Sequence, residues 1–177
     1  MVKRWVKWTG ISAVIIFFVI AYISSLYNPW FSIWHNAYSD LGTTYAKYMW
    51  IFNYGLMFIV SPLMLIFAIY LIYKSENKLQ TVGASFITMA AIFIFFIGLF
   101  HKGTKPHDFV ALWFFWQYFI GILLYCIGRE KLWLGISLFI LFIAGFFIPF
   151  PSMALAETYA LVLIGGFNGL VGIKAQI

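Results

Sequence analysis

Leu79-Gln-Thr-Val-Gly-Ala-Ser-Phe-Ile-Thr-Met-Ala-Ala-Ile-Phe-Ile-Phe-Phe-Ile-Gly-Leu-Phe100 runs through 22 residues without one charged side chain. A helix crossing the ~30 Å hydrocarbon layer needs about 20 mostly apolar residues, so this stretch is long enough to span it. Five further runs match it, at approximately 9–27, 50–73, 109–127, 132–150 and 154–173. Six such helices consume about 120 residues, which leaves no room in 177 for a separate soluble domain. The expectation is an all-α, polytopic transmembrane bundle of six helices, one domain over 1–177.

Composition carries the same reading outward from the spans. The chain is 64% hydrophobic and 23% aromatic, with 9% charged residues. A soluble domain carries roughly a quarter charged residues, and a disordered one is poor in aromatics. Both classes are excluded. The net charge of +6 does not mark a nucleic-acid binder, because the bases are scattered between apolar runs. Cys126 is the only cysteine. It permits no intrachain disulfide or thiolate cage and reads as a small buried hydrophobe within an apolar run.

The breaks between runs are chemically distinct. Lys74-Ser-Glu-Asn-Lys78 and Gly128-Arg-Glu-Lys131 are short charged turns, which force antiparallel neighbours. His101 to Asp108 and Pro149-Phe-Pro-Ser152 are two more, with Pro106 and Pro151 placed where a helix start tolerates a missing N–H. The longest connection, about Asn28 to Met49, carries Trp30, Phe31 and Trp34 and is expected to lie in the headgroup zone. Met1-Val-Lys-Arg-Trp-Val-Lys7 resembles the start of a secretory signal. The apolar run after it is long and lacks a cleavage-type sequence, so it is expected to remain as the first helix.

Lysine and arginine fix the expected orientation. One side holds Lys3, Arg4, Lys7, Lys74, Lys78, Arg129, Lys131 and Lys174, the other only Lys47, Lys102 and Lys105. Eight against three places both termini in the cytoplasm of a multi-pass cell-membrane protein. His35, His101 and His107 then all fall on the outer side, with Asp40, Asp108 and Glu157. The other two acids, Glu76 and Glu130, sit in basic turns as solvated charges.

The outer set supplies the candidate site residues Ser39, Asp40, His101, His107, Asp108 and Glu157. Each has a simpler reading. Asp40 and Asp108 stand just before helical runs, where they would cap, Ser39 suits a turn, and His35 suits an interface. Glu157 is harder to explain this way, because an acid some turns into a membrane helix usually faces the bundle interior with a partner; His101, His107 and Lys105 are the candidates, and the alternative is a carboxyl that stays protonated. Imidazole and carboxylate suit zinc, and Asp40, His101, His107 and Asp108 are the ligands such a site would draw on. The spacing offers no HExxH, no HxxxH and no helix with ligands at i and i+4, so the sequence requires no cofactor. Ser39 as a nucleophile with His107 and an acid lacks both a G-x-S-x-G and an S-x-x-K setting.

Inside the spans the polar signals are structural. Gly165-x-x-x-Gly169 is a close-approach face, expected to pack within the monomer; an oligomer through it is possible but not indicated. Asn53 and Asn168 should bond across helices, Ser61-Pro62 should kink the second helix, and Gln117 is a candidate cavity-lining group. No mid-membrane ion pair and no matching pair of broken helices indicates a transporter.

Ser39-Asp40-Leu41-Gly42 after the first helix, His107 with Ala111 four residues later, and the acid in the last helix together carry a resemblance. The chain resembles the prokaryotic six-helix membrane family known as domain of unknown function 998, over nearly its whole length. More faintly, the S-D-L-G and H-D-F-V-A-L-W-F-F stretches are similar to the eukaryotic family of GPI-anchor remodelling factors and autophagy modulators. That resemblance implies a polar site near lipid headgroups and assigns no catalytic residue. The seven-helix superfamily of alkaline ceramidases and progestin/adipoQ-type receptors differs in helix number and by its HxxxH, which is absent here. The expected function is binding or processing of a lipid headgroup by the outer cluster. The alternatives are a metal-dependent membrane lipid hydrolase and a non-catalytic structural or assembly protein. Membrane lipids are the expected partners and nucleic acid is not.

Overall fold

The computed structural model describes residues 4–173, so Lys3 and Lys174 of the charge count lie outside the described residues. A 3-10 turn, Arg4–Trp8, leads into six helices. They are α1 Thr9–Leu26, α2 Met49–Lys74, α3 Lys78–Leu99, α4 His107–Gly128, α5 Leu132–Gly145 and α6 Met153–Ile173. No strand occurs among the described residues. In hydrocarbon only internally bonded backbone is stable, and a chain this apolar meets that condition by forming helices.

Five of the helices, with the turn Arg4–Trp8 counted into the first, are long and apolar enough to cross a membrane. α5 is the exception and corrects the expected fifth run of 132–150: it has 14 residues and stops at Gly145. Pro149 lacks the N–H that would bond back to the Gly145 carbonyl and biases Ile148 away from helical geometry. The chain therefore leaves the helix as Phe146-Phe147-Ile148-Pro149-Phe150-Pro151, short of the thickness that α5 would otherwise span.

The two charged turns make antiparallel pairs, as expected. They are also tied to each other. Asn77 caps α3 by accepting the Gln80 N–H at 3.0 Å, and both Asn77 and Gln80 donate to the Gly128 carbonyl at 2.7 Å. Arg129 donates to Glu76 at 2.8 Å and to the Lys74 carbonyl at 3.0 Å. Glu76 is thus an ion-pair partner, not merely a solvated charge.

Helix packing is tightest where glycines face backbone. A Cβ on Gly83 of α3 would lie 2.7 Å from the Gly121 carbonyl of α4, and one on Gly121 would lie 2.8 Å from the Gly83 carbonyl. The Gly165-x-x-x-Gly169 face is different. Gly165 packs on Val14 and Ile11 of α1, within the monomer as expected, while a Cβ on Gly169 would meet nothing within 4 Å.

Asn168 is completely buried and ties three helices, accepting from Tyr118 of α4 at 2.8 Å and donating to the Gly10 carbonyl of α1 at 3.1 Å. Asn53 bonds to a connection instead of a helix, donating to the Gly42 carbonyl at 2.9 Å. Before Pro62, α2 widens into a π turn over Leu56–Val60, in which the Ser61 N–H reaches the Leu56 carbonyl. The missing proline N–H is absorbed by this register shift, and the Ser61 hydroxyl donates across to the Ala91 carbonyl of α3 at 2.8 Å.

Candidate functional site

The antiparallel succession of the six helices puts the 27–48, 100–106 and 146–152 connections at one end of the bundle, and hydrogen bonds stitch them together. Asn28, buried at the end of α1, accepts the Lys47 N–H at 2.8 Å and donates to the Lys47 carbonyl at 3.0 Å. This clasp closes the long connection just before Tyr48, whose φ of 55° turns the chain into α2. Within the connection, Trp30 and Trp34 are exposed as expected of interface anchors, whereas Phe31 turns inward against the Tyr38 ring, 6.0 Å between centroids. The Ala154 N–H at the start of α6 donates to the Asn36 carbonyl at 2.9 Å.

The S-D-L-G stretch is a 3-10 turn, Tyr38–Gly42, held from both ends. Asp40 accepts the Ala37 N–H at 2.8 Å through Oδ2, so it caps its own short turn, and its Oδ1 lies 3.4 Å from Lys102 Nζ. The turn also needs Gly42. A Cβ there would collide with the Asn53 side chain that bonds its carbonyl.

Glu157, one turn into α6, accepts the Tyr38 N–H at 3.0 Å through Oε2. Its partner is a backbone N–H; neither a histidine nor Lys105 bonds it. The Tyr38 hydroxyl meets Thr158 Oγ1 at 3.0 Å, so two consecutive α6 residues grip one residue of the turn. His107 opens α4 and is 3% exposed. Its Nδ1 donates to the Phe100 carbonyl at 2.8 Å. A carbonyl only accepts, so Nδ1 carries the proton and the neutral ring keeps Nε2 as an acceptor.

Ser39, His107 and Glu157 line the same two adjoining cavities. The larger is an open vestibule of about 570 Å³, which Lys102 and Asp108 also line. The smaller is a slot of about 60 Å³ walled by apolar side chains such as Val14, Phe17, Met64 and Leu161. The three polar side chains stand where the vestibule narrows into the slot. Neither Ser39 Oγ nor His107 Nε2 has a hydrogen-bond partner among the described residues. Their polar atoms are available to an occupant.

The remaining candidates stand apart from this neck. Asp40 acts behind it by holding the turn and Lys102. His101 turns to its own loop, with Nδ1 2.9 Å from the Lys102 carbonyl, and His35 is exposed in the long connection. Asp108 is exposed on the vestibule rim. Among the described residues no group of three or more His, Cys, Asp or Glu is placed to hold a metal ion. Gln117 lines neither cavity.

A family model described as a protein of unknown function, DUF998, matches residues 11–174. The chain belongs to the DUF998 family. The match covers all six helices but for the first two residues of α1, and every residue at the neck. No curated protein and no solved structure matches the chain. Within this DUF998 protein, sequence reasoning missed Lys102 as a site residue and the aromatic side of the vestibule, Phe142, Phe146 and Phe150. Lys102 carried a signal, standing between two histidines in one connection; the aromatics carried none, because they are indistinguishable in sequence from lipid-facing ones.

Proposed function

We propose that this DUF998 protein binds the headgroup of a membrane lipid at the Ser39–His107–Glu157 neck, on the extracytoplasmic side of the cell membrane. The observation that carries this reading is the neck itself: three polar side chains from three connected elements, in a chain with few of them, at the junction of a polar-rimmed vestibule and an apolar slot. A volume of about 570 Å³ is within the range of small-ligand sites, which pair apolar walls with a few convergent polar groups. Lys102 and Asp108 on the vestibule wall offer both signs of charge to a headgroup.

The experiment is photolabelling in nanodiscs of phosphatidylethanolamine and phosphatidylglycerol, using a lipid with a photoreactive headgroup. Labelled peptides from the 37–42 turn and the start of α6 are expected, with a marked loss in His107→Ala and Glu157→Gln. Labelling that is unchanged in both variants would overturn the reading.

One observation favours a processing step at the same place. Ser39 Oγ and His107 Nε2 face one cavity unpartnered, and the Phe100 carbonyl fixes the tautomer in which Nε2 accepts a proton. In ester cleavage, the serine oxygen would bond the ester carbonyl carbon while Nε2 takes its proton and then returns it to the departing alkoxide. Water would release the acyl group from Ser39 as a carboxylic acid. Retention of a lipid-derived acyl adduct on Ser39, lost in Ser39→Ala, would separate processing from binding.

A further inference from the structure

The vestibule has two unlike sides and an unusual wall. Its polar side is Ser39, Lys102, His107, Asp108 and Glu157; its other side is Phe142, Phe146, Ile148, Phe150 and Met153 from the end of α5 and the chain after it. Irregular backbone at membrane depth is tolerated where it lines a cavity, and Phe146, Ile148, Pro149, Phe150 and Ser152 line this one. Pro149 and Pro151 also reduce the N–H groups that stretch must satisfy.

The cause of the opening is the length of α5. Its 14 residues rise about 21 Å, against the ~30 Å of hydrocarbon that its neighbours are long enough to cross. In the vestibule wall itself α5 and α6 are latched together: the Tyr159 hydroxyl donates to the Leu141 carbonyl at 2.7 Å, and its ring lies 3.0 Å from where a Gly145 Cβ would be. Above that latch no helix stands. The rim there combines cavity lining with exposure, since Leu112 is 46% exposed and Phe146 is 56% exposed. Phe147 beside them, at 82%, is the most exposed of the large hydrophobic side chains. An apolar lip that opens a polar pocket sideways matches a molecule with a polar head and apolar chains.

We infer that the occupant is a bilayer lipid that enters sideways over the truncated end of α5, its head against the Ser39–His107–Glu157 wall and its chains passing between Leu112 and Phe146 into the membrane. The inference rests on the headgroup reading and adds the route and the class of occupant: a membrane-resident amphiphile, in contrast to a headgroup compound arriving from water.

The test obstructs the lip and leaves the neck intact. Ile148→Trp and Leu112→Trp place an indole at two exposed positions that line the opening, and Ile140→Trp places one on an exposed face of α5 that does not line the vestibule. Each protein is reconstituted in phosphatidylethanolamine/phosphatidylglycerol nanodiscs and checked for an unchanged melting temperature. It is then labelled either by a long-chain headgroup-photoreactive lipid in the bilayer or by its short-chain, water-soluble analogue.

The expected result is about a tenfold loss of long-chain labelling at the neck in the two lip variants, equivalent to 1.4 kcal/mol. Ile140→Trp should match the parent chain, and the short-chain analogue should label all four proteins alike. Undiminished long-chain labelling in Leu112→Trp and Ile148→Trp would overturn the lateral route while leaving the headgroup reading in place. Loss of both probes in the lip variants would also overturn it, because a collapsed vestibule explains that outcome. Absence of labelling in the parent chain by either probe would defeat the headgroup reading itself.

Discussion

Asn168 shows how a single amide decides the middle of this bundle. It is wholly buried with Tyr118 and the Gly10 carbonyl as partners, so removing it leaves the Tyr118 hydroxyl only its weak contact to Met64 Sδ at 3.2 Å and takes a donor from the Gly10 carbonyl. Leaving buried polar groups unsatisfied costs about 1–3 kcal/mol. Asn168→Ala should therefore lower the detergent melting temperature clearly, and Tyr118→Phe, which deletes the bond to Asn168 and the weak contact to Met64 Sδ but leaves the Asn168–Gly10 bond, should lower it less. A thermal series on the two single variants and the double would show non-additive losses, since the side chains share one bond. Asn28 makes a comparable prediction at the histidine-bearing end. Asn28→Ala releases both backbone groups of Lys47 and should cost about 1–2 kcal/mol, loosening the connection that carries Ser39 and so weakening headgroup photolabelling. The polar character of Asn168 in an apolar run was legible in the sequence, and so was its role as a cross-helix tie. Asn28 was not, because an asparagine at the end of a helix is ordinary and its partner lies nineteen residues away.

Among the helices, two glycine patterns look alike on paper and differ in space. Gly165-x-x-x-Gly169 is the motif a reader notices, yet Gly169 meets nothing within 4 Å. Gly83 and Gly121 stand in different helices, so no spacing rule connects them, and each is blocked by the other's backbone carbonyl. Backbone cannot swing aside as a side-chain tip does. Gly83→Ala should accordingly destabilise by about 1–3 kcal/mol through overpacking, while Gly169→Ala should stay within about 0.5 kcal/mol of the parent chain. Denaturation of both variants in the same detergent checks the contrast. Reversed rankings would place the close helix contact elsewhere. The same scale explains why the fifth run misled: apolar residues continue to Phe150, so hydropathy extends the helix, but Pro149 and Gly145 end it and the leftover apolar chain becomes a cavity wall. Hydropathy reports how apolar a segment's surroundings are, and the apolar wall of a cavity and a lipid-facing helix surface carry the same signal. The five long helices were legible for that reason, and the vestibule was not.

At the scale of the whole molecule, the scarcity of charge joins topology to function. The end of the bundle that holds Asn77 and Arg129 carries Arg4, Lys7, Lys74, Lys78, Arg129 and Lys131 among the described residues, against Lys47, Lys102 and Lys105 at the end with the neck. If bases select the cytoplasmic side, the vestibule opens outside, and Lys102, drawn to Asp40, serves the site more than the topology. Cysteine chemistry can read this orientation directly because Cys126 is 1% exposed and gives little background. Lys105→Cys and Lys78→Cys put exposed thiols at opposite ends without touching the neck. In intact cells, a membrane-impermeant maleimide should label Lys105→Cys and spare Lys78→Cys until the membrane is permeabilised. The reverse pattern would turn the bundle over and give the vestibule a cytoplasmic leaflet to draw from. The bonds of Glu157 to Tyr38 and of His107 to the Phe100 carbonyl are internal to the bundle and are the same in either orientation, so the test decides which leaflet the vestibule faces and leaves the lateral route to be judged on its own experiment.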